Sequence, residues 1–168
     1  MEQALQILND LAVSRLVTRY AIGGAMAAYF YAEAVVTEDL DAFILVEQPS
    51  SGLLTLTPIH DFLKSRGATE RREHLVLAGI LIQIIPAFDA LVEEAVQQAV
   101  DRTVGRTPTH VMSVEHLIAI ALKTGRSKDH ARIALLLEEA NVNAEALTGI
   151  LRRHQLIDRW TQFKSAHP

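Results

Sequence analysis

The chain has 168 residues, a length that fits one domain, and its 49% hydrophobic and 21% charged content is that of an ordinary globular protein. A net charge of -4 argues against a generally basic nucleic-acid-binding surface, and the absence of cysteine excludes disulfides, thiolate metal sites and cysteine nucleophiles. The start, MEQALQILND, lacks the basic and apolar segments of a signal peptide, and the apolar stretch 75–90 is interrupted by Gly79, Gln83, Pro86 and Asp89. A soluble, cytoplasmic protein with no membrane span is therefore expected.

In chain order, Leu5, Leu8, Leu11, Ala12 and Leu16 recur at helical spacing, which predicts an amphipathic helix over 3–16. Val17 to Ile22 is short, partly β-branched and stopped by Gly23-Gly24, so it reads as a strand. The alanine-rich run Ala25 to Ala34 favours helix. Leu40 to Val46 predicts a second strand, and Pro49-Ser50-Ser51-Gly52 a turn. Thr57-Pro58 looks like an N-cap followed by proline at the first helical position, with Gly67 closing a helix over 58–66.

Apolar runs 74–77 and 80–85 flank Ala78-Gly79 as a β-hairpin. Asp89 is placed to cap a helix running to about Val100. Val104 to Met112 reads as a last strand, held to an edge by Pro108. The rest is helical: 114–123 ending at Gly125, 128–140 capped by Ser127, and a long helix from Asn143 to about Phe163. The expected architecture is α/β (α+β): a small mixed β-sheet flanked by helices over 1–112, with a C-terminal helical region over 113–168 packed on it.

Two local features carry chemistry. Gly23-Gly24 lies where a strand ends and a helix begins, so the backbone can take positive φ and a phosphate can approach free N–H groups; a plain tight turn explains it equally well. Asp39 and Asp41, two apart on a strand, aim both carboxylates to one side while Leu40 packs opposite. A divalent cation relieves the repulsion between such a pair, and Mg²⁺ (or Mn²⁺) typically takes one or two carboxylates plus substrate phosphates. Two solvated acids at a strand entrance are the plainer reading.

Taken together, Ile22-Gly23-Gly24-Ala25 and Thr37-Glu38-Asp39-Leu40-Asp41-Ala42-Phe43-Ile44 resemble the signature of the nucleotidyltransferase fold superfamily. More narrowly, they resemble the AbiEii/AbiGii toxin-related members. The resemblance implies that Gly23 and Gly24 hold the triphosphate, that Asp39 and Asp41 are the catalytic metal ligands, and that Thr37 gives a supporting hydrogen bond. Downstream, Glu115 to Lys123 and then Gly125-Arg126-Ser127-Lys128-Asp129 are similar to that family's helical segment. There Lys123 and Lys128 would help bind nucleotide, Arg126 less so. Offsetting the helix dipoles is the ordinary role of Lys123 and Asp129.

The implied activity is transfer of a nucleoside monophosphate from NTP to an RNA or protein acceptor, with a toxin–antitoxin setting and an antitoxin-like partner. The pattern departs from active members at the third carboxylate. On the corresponding strand, Ile80 to Ile85, Gln83 is the one polar residue and an amide cannot serve as a general base. The alternative is a catalytically degenerate nucleotide- or partner-binding module. Asp89 and Glu73 are nearby acids, read more simply as a helix cap and a strand start.

Other features read as structure. The seven histidines have no metal spacing, Ser50-Ser51-Gly52 has no nucleophile elbow, and Tyr29, Phe30 and Tyr31 suit helix packing. Trp160, with Leu156 and Phe163, suits packing of the last helix or a homodimer contact.

Overall fold

The computed structural model describes residues 1–33, 37, 39–47, 55–71 and 74–166. The expected turn at 49–52, Glu38, Glu73 and the Ala34 end of the second helix lie outside the described residues. The chain begins with α1 (Glu2–Val13), β1 (Arg19–Ile22), α2 (Gly24–Ala28), β2 (Asp39–Leu45) and α3 (Thr57–Ser65). It continues through β3 (Thr69–Arg71), β4 (His74–Leu77), β5 (Ile80–Pro86), α4 (Ala90–Gln97), β6 (Val100–Val104) and β7 (Thr107–Val111). Four helices follow: α5 (Val114–Thr124), α6 (Ser127–Glu139), α7 (Ala144–Arg153) and α8 (Ile157–Ala166).

The described strands form one mixed sheet in the order β3-β4-β5-β2-β1-β7-β6. β2 is central, antiparallel to β1 and parallel to β5, with Asp41 opposite Gln83. Strand periodicity then divides the sheet by face. Leu40, Ala42 and Ile44 share one face with Tyr20, Ile22, Leu75, Leu77 and Ile82, all buried. On that face the Tyr20 hydroxyl donates to Asn9 Oδ1 of α1 at 2.7 Å. The other face carries Asp39, Asp41 and Phe43. No described helix is long and apolar enough to cross a membrane.

Several boundaries differ from the sequence reading. α1 stops at Val13, capped by Ser14, and Arg15 turns with φ 59°. α2 has five residues, much shorter than expected; Tyr31 lies beyond it and donates its hydroxyl to Met112 O at 2.9 Å. Thr57 lies inside α3, its N–H donating to Thr55 Oγ1 at 3.3 Å, so it is not the cap. Arg126, not Ser127, is the N-cap of α6.

The helix expected to reach Val100 ends at Gln97, and Val100 begins β6, which hairpins through Gly105 (φ 59°) into β7. β7 is not the edge strand that Pro108 suggests, since β6 lies outside it; Pro108 is tolerated because the described register pairs β7 with β1 only at Val111. The long last helix is two, broken where Gln155 takes φ 57°. Trp160 and Phe163 stack in α8 with centroids 5.7 Å apart. The Ala78-Gly79 turn and the Asp89 cap are as expected: φ is 51° and 78° at the turn, and Asp89 Oδ1 accepts from Leu91 and Val92 N–H.

A polar latch ties α4 to α5 and α7. Glu94 accepts from Arg153, from His154 Nε2 at 2.8 Å and from His116 Nε2 at 3.2 Å. The Arg153 bond, opposed by burial and aided by the two histidines, lowers the Glu94 pKa from an ordinary 4.5 to about 2. A carboxylate lowered on folding contributes stability that is present above its unfolded pKa and lost as pH falls through the folded one. The window is thus pH 4.5 down to 2. The ceiling is roughly 3 kcal/mol, reduced by solvent screening of half-exposed Arg153. Thermal melts from pH 7 to pH 2 should show Glu94→Gln starting lower than the parent and losing less in that window; parallel curves would refute the latch.

Candidate functional site

The site is built where β1 hands over to α2 beside the N-terminal end of β2. Gly23 N–H donates to Asp41 O at 2.9 Å, which fixes the turn against β2. Gly24 follows with φ +59°, a conformation in which a Cβ is strained. Both glycines are also sterically required. A Cβ on Gly24 would collide with Asp41 Oδ2, and one on Gly23 would lie 2.5 Å from Phe43 Cε2. Close packing therefore accounts for the pair before any ligand is considered. With α2 so short, its dipole is small, and what the turn offers a phosphate is the few unpaired N–H groups of a helix start.

Asp39 and Asp41 project from the same face of β2, as their spacing requires. Thr37 Oγ1 donates to Asp39 Oδ1 at 2.6 Å, holding that carboxylate. Asp41 is perturbed. Burial raises its pKa first, the charge of Asp39 raises it further, and Arg132, His74 and Lys128 partly counter the rise. An ionised Asp41 is thus short of positive charge.

A cavity of about 360 Å³ opens over the two carboxylates. Gly24, Ala25, Asp39, Asp41 and Gln83 line it together with Arg126, Lys128, Asp129 and Arg132. Phe43, Ile85, Met112, Leu117 and Ile120 form an apolar wall, with exposed Phe88 among the lining residues.

The basic side is pinned by Asp129, which is 1% exposed. Its Oδ2 accepts from Arg126 Nε at 2.6 Å and its Oδ1 from Arg126 Nη2 at 3.1 Å, with Arg132 Nη1 at 3.5 Å. Burial pushes the Asp129 carboxyl up, but its bonds from Arg126 prevail and hold it below the usual range. Beyond capping its helix, Asp129 thus fixes the direction of two guanidinium groups.

The structure brings Gly24, Asp39, Asp41 and Lys128 together around the cavity, with Thr37 bonded to Asp39 and Gly23 packed behind. Lys123 is placed elsewhere. Its Nζ pairs with Asp89 Oδ2 at 2.7 Å, and it is not among the residues lining the cavity. Arg132 was not singled out from sequence, although its spacing of four from Lys128 on one helix was a readable signal. Gln83 stands beside Asp41 in the ladder, where the third carboxylate was sought. Asp89 is occupied by Lys123 and its own cap.

Among the described residues, no group of three or more His, Cys, Asp or Glu side chains could hold a metal ion. The donor set fits one hard divalent cation on Asp39 and Asp41 whose remaining sites are filled by phosphate and water, the way Mg²⁺ is commonly held. The half-buried, mutually repelling carboxylates suit that use. A two-metal site would need a further acid, and the other acid in the cavity lining, Asp129, is held by Arg126 and Arg132.

No family model matches the sequence, and no curated protein matches it. Solved structures do resemble it. The solution structure of antibiotic-resistance factor ANT(2'')-Ia is similar with a TM-score of 0.52 at 16% identity, over 99% of this chain and 98% of that one. A crystal structure of ANT(2")-Ia in complex with adenylyl-2"-tobramycin gives 0.50 at 16% identity, over 96% and 95%. An antigenic nucleotidyltransferase-like protein from Paracoccidioides brasiliensis gives 0.54 at 14% identity, over 97% and 91%. At such identities the likeness carries the fold, and the mixed sheet flanked by helices is a nucleotidyltransferase-like fold.

Proposed function

We propose that the chain is a metal-dependent nucleotidyltransferase that moves a nucleoside monophosphate from an NTP to a hydroxyl of RNA or protein. The observation that carries this reading is one cavity lined both by Asp39 and Asp41 beside Gly24 and by Lys128, Arg126 and Arg132. The carboxylates suit a cation, and the cationic side chains suit a polyphosphate. Residues 1–112 supply the carboxylates and the glycine turn, and residues 113–168 supply the basic wall.

In the reaction, the acceptor oxygen bonds to the α-phosphorus as the α–β bridging bond breaks, and pyrophosphate leaves. Bound on Asp39 and Asp41, Mg²⁺ (or Mn²⁺) would neutralise charge at the triphosphate. The chain's own contribution is to orient it: Thr37 steadies Asp39, and Lys128 and Arg132 face the departing phosphates. The motif likeness to AbiEii/AbiGii toxin-related proteins supports an antitoxin-like partner; the cysteine-free composition suits a cytoplasmic setting, and Trp160 on α8 suits a homodimer contact.

A second reading rests on Gln83, which supplies neither charge nor a proton acceptor beside Asp41. It is a module that binds nucleotide without turnover. Calorimetric titration of each NTP with and without Mg²⁺, into the parent and Asp39→Asn, tests both. Mg²⁺-dependent binding abolished by the substitution is expected, followed by labelled-nucleotide transfer. Binding without transfer selects the second reading, and no binding by any NTP removes both.

A further inference from the structure

Transfer requires something to take the acceptor's proton, and the residues around the cavity are already committed. Asp39 and Asp41 suit the cation, Asp129 is buried between two arginines, and Gln83 cannot accept a proton at neutral pH. The sheet register supplies a candidate one strand further out. β4 pairs antiparallel to β5 with Leu75 opposite Ile82, so the next rung sets His74 beside Gln83. Gln83 is in turn beside Asp41.

Asp41, Gln83 and His74 thus form a row across β2, β5 and β4 on one face of the sheet. Two strand spacings separate the ends of the row by about 10 Å at the backbone, with Gln83 between them. His74 is half-buried and lies within electrostatic reach of Asp41.

We propose that His74 is the general base of this site, receiving the acceptor hydroxyl's proton in place of the absent third carboxylate. The proposal rests on the transferase reading above. In the step, the acceptor O–H gives its proton to an imidazole nitrogen as its oxygen bonds to the α-phosphorus, and pyrophosphate carries away the α–β bonding pair. The imidazolium then returns the proton to solvent. The acceptor accordingly enters over β4 and β5, opposite the α5–α6 side. The charged groups that face His74 are Arg71, its partner in register on β3, and Asp41, two strands away in the same row.

The test measures pyrophosphate release from the four NTPs with Mg²⁺ and total RNA, alongside calorimetric NTP binding. His74→Ala should bind NTP as the parent does, showing an intact fold and site, yet release pyrophosphate at least ~100-fold more slowly, the scale of general-base catalysis. Added imidazole should restore part of the rate to His74→Ala and leave the parent unchanged. Gln83→Glu in the His74→Ala background should also recover turnover by returning a carboxylate to the row. Full turnover in His74→Ala, slow turnover that neither imidazole nor Gln83→Glu improves, or parental binding without pyrophosphate release each overturns the proposal while the nucleotide site stands. Failure of the parent to bind any NTP overturns the transferase reading itself, and this proposal with it.

Discussion

Asp41→Asn should make the protein more stable without nucleotide and at the same time disable its nucleotide site. Burial and the neighbouring Asp39 raise the Asp41 pKa above the ordinary 3.8, and the cations across the cavity only partly compensate. A carboxyl raised on folding costs stability once it is ionised in the folded protein. That cost is full above the folded pKa, shrinks as pH falls through it, and vanishes below the unfolded value near 3.8. The variant's advantage in melting temperature should therefore be largest at pH 7 and close as the pH approaches 3.8. Mg²⁺-dependent NTP binding should fall by at least the ~10–100-fold that even an outer-shell partner of a metal is worth. Saturating Mg²⁺–NTP should reverse the order of the two melts, because ligand binding stabilises only the protein that binds it. Unchanged NTP affinity, or a variant less stable than the parent at pH 7, would contradict this account of Asp41.

Gly24→Ala should damage both stability and binding, and Gly23→Ala chiefly stability. At φ +59° an alanine costs about 1–2 kcal/mol. The added methyl also occupies the position of Asp41 Oδ2, so the carboxylate must swing away from the cavity. At Gly23, where φ is -121°, the methyl meets the edge of the Phe43 ring and, at 3.1 Å, Met112 Sδ. That is overpacking of an apolar contact, on the order of 1–3 kcal/mol, with Asp41 left in place. Denaturant midpoints and NTP calorimetry separate the two. A Gly24→Ala protein that binds Mg²⁺–NTP like the parent would show that the glycine does not set the carboxylate.

What could be read from sequence was local. The Ala78-Gly79 turn, the Asp89 cap, the helix start at Asn143, the glycine that ends α5 and the shared face of Asp39 and Asp41 each depend on neighbours a few residues away. What could not be read depended on distant partners. β3 is three exposed residues, stabilised as a strand by pairing with β4. β6 goes unmarked in the sequence, where Val100 reads as the end of a helix and Val104 as the start of the next strand; its identity comes from pairing along β7. The break between α7 and α8 rests on Gln155 adopting positive φ, with no glycine to announce it. In the site, the pairing of Lys123 with Asp89 is not legible because the two lie 34 residues apart, and the row joining His74 to Asp41 exists only once three strands are in register.

The sheet ends at β3 and β6, and both borders are poor templates for another strand. β3 is short and carries Glu70, bonded to Lys64, and Arg71; β6 presents Asp101 and Arg102. Brief, charged borders discourage edge-to-edge addition and the fibrillar aggregation that follows from it. Self-association of this chain is therefore steered to its helical surfaces, and a crowded solution should yield discrete oligomers at most, rather than extended β assemblies.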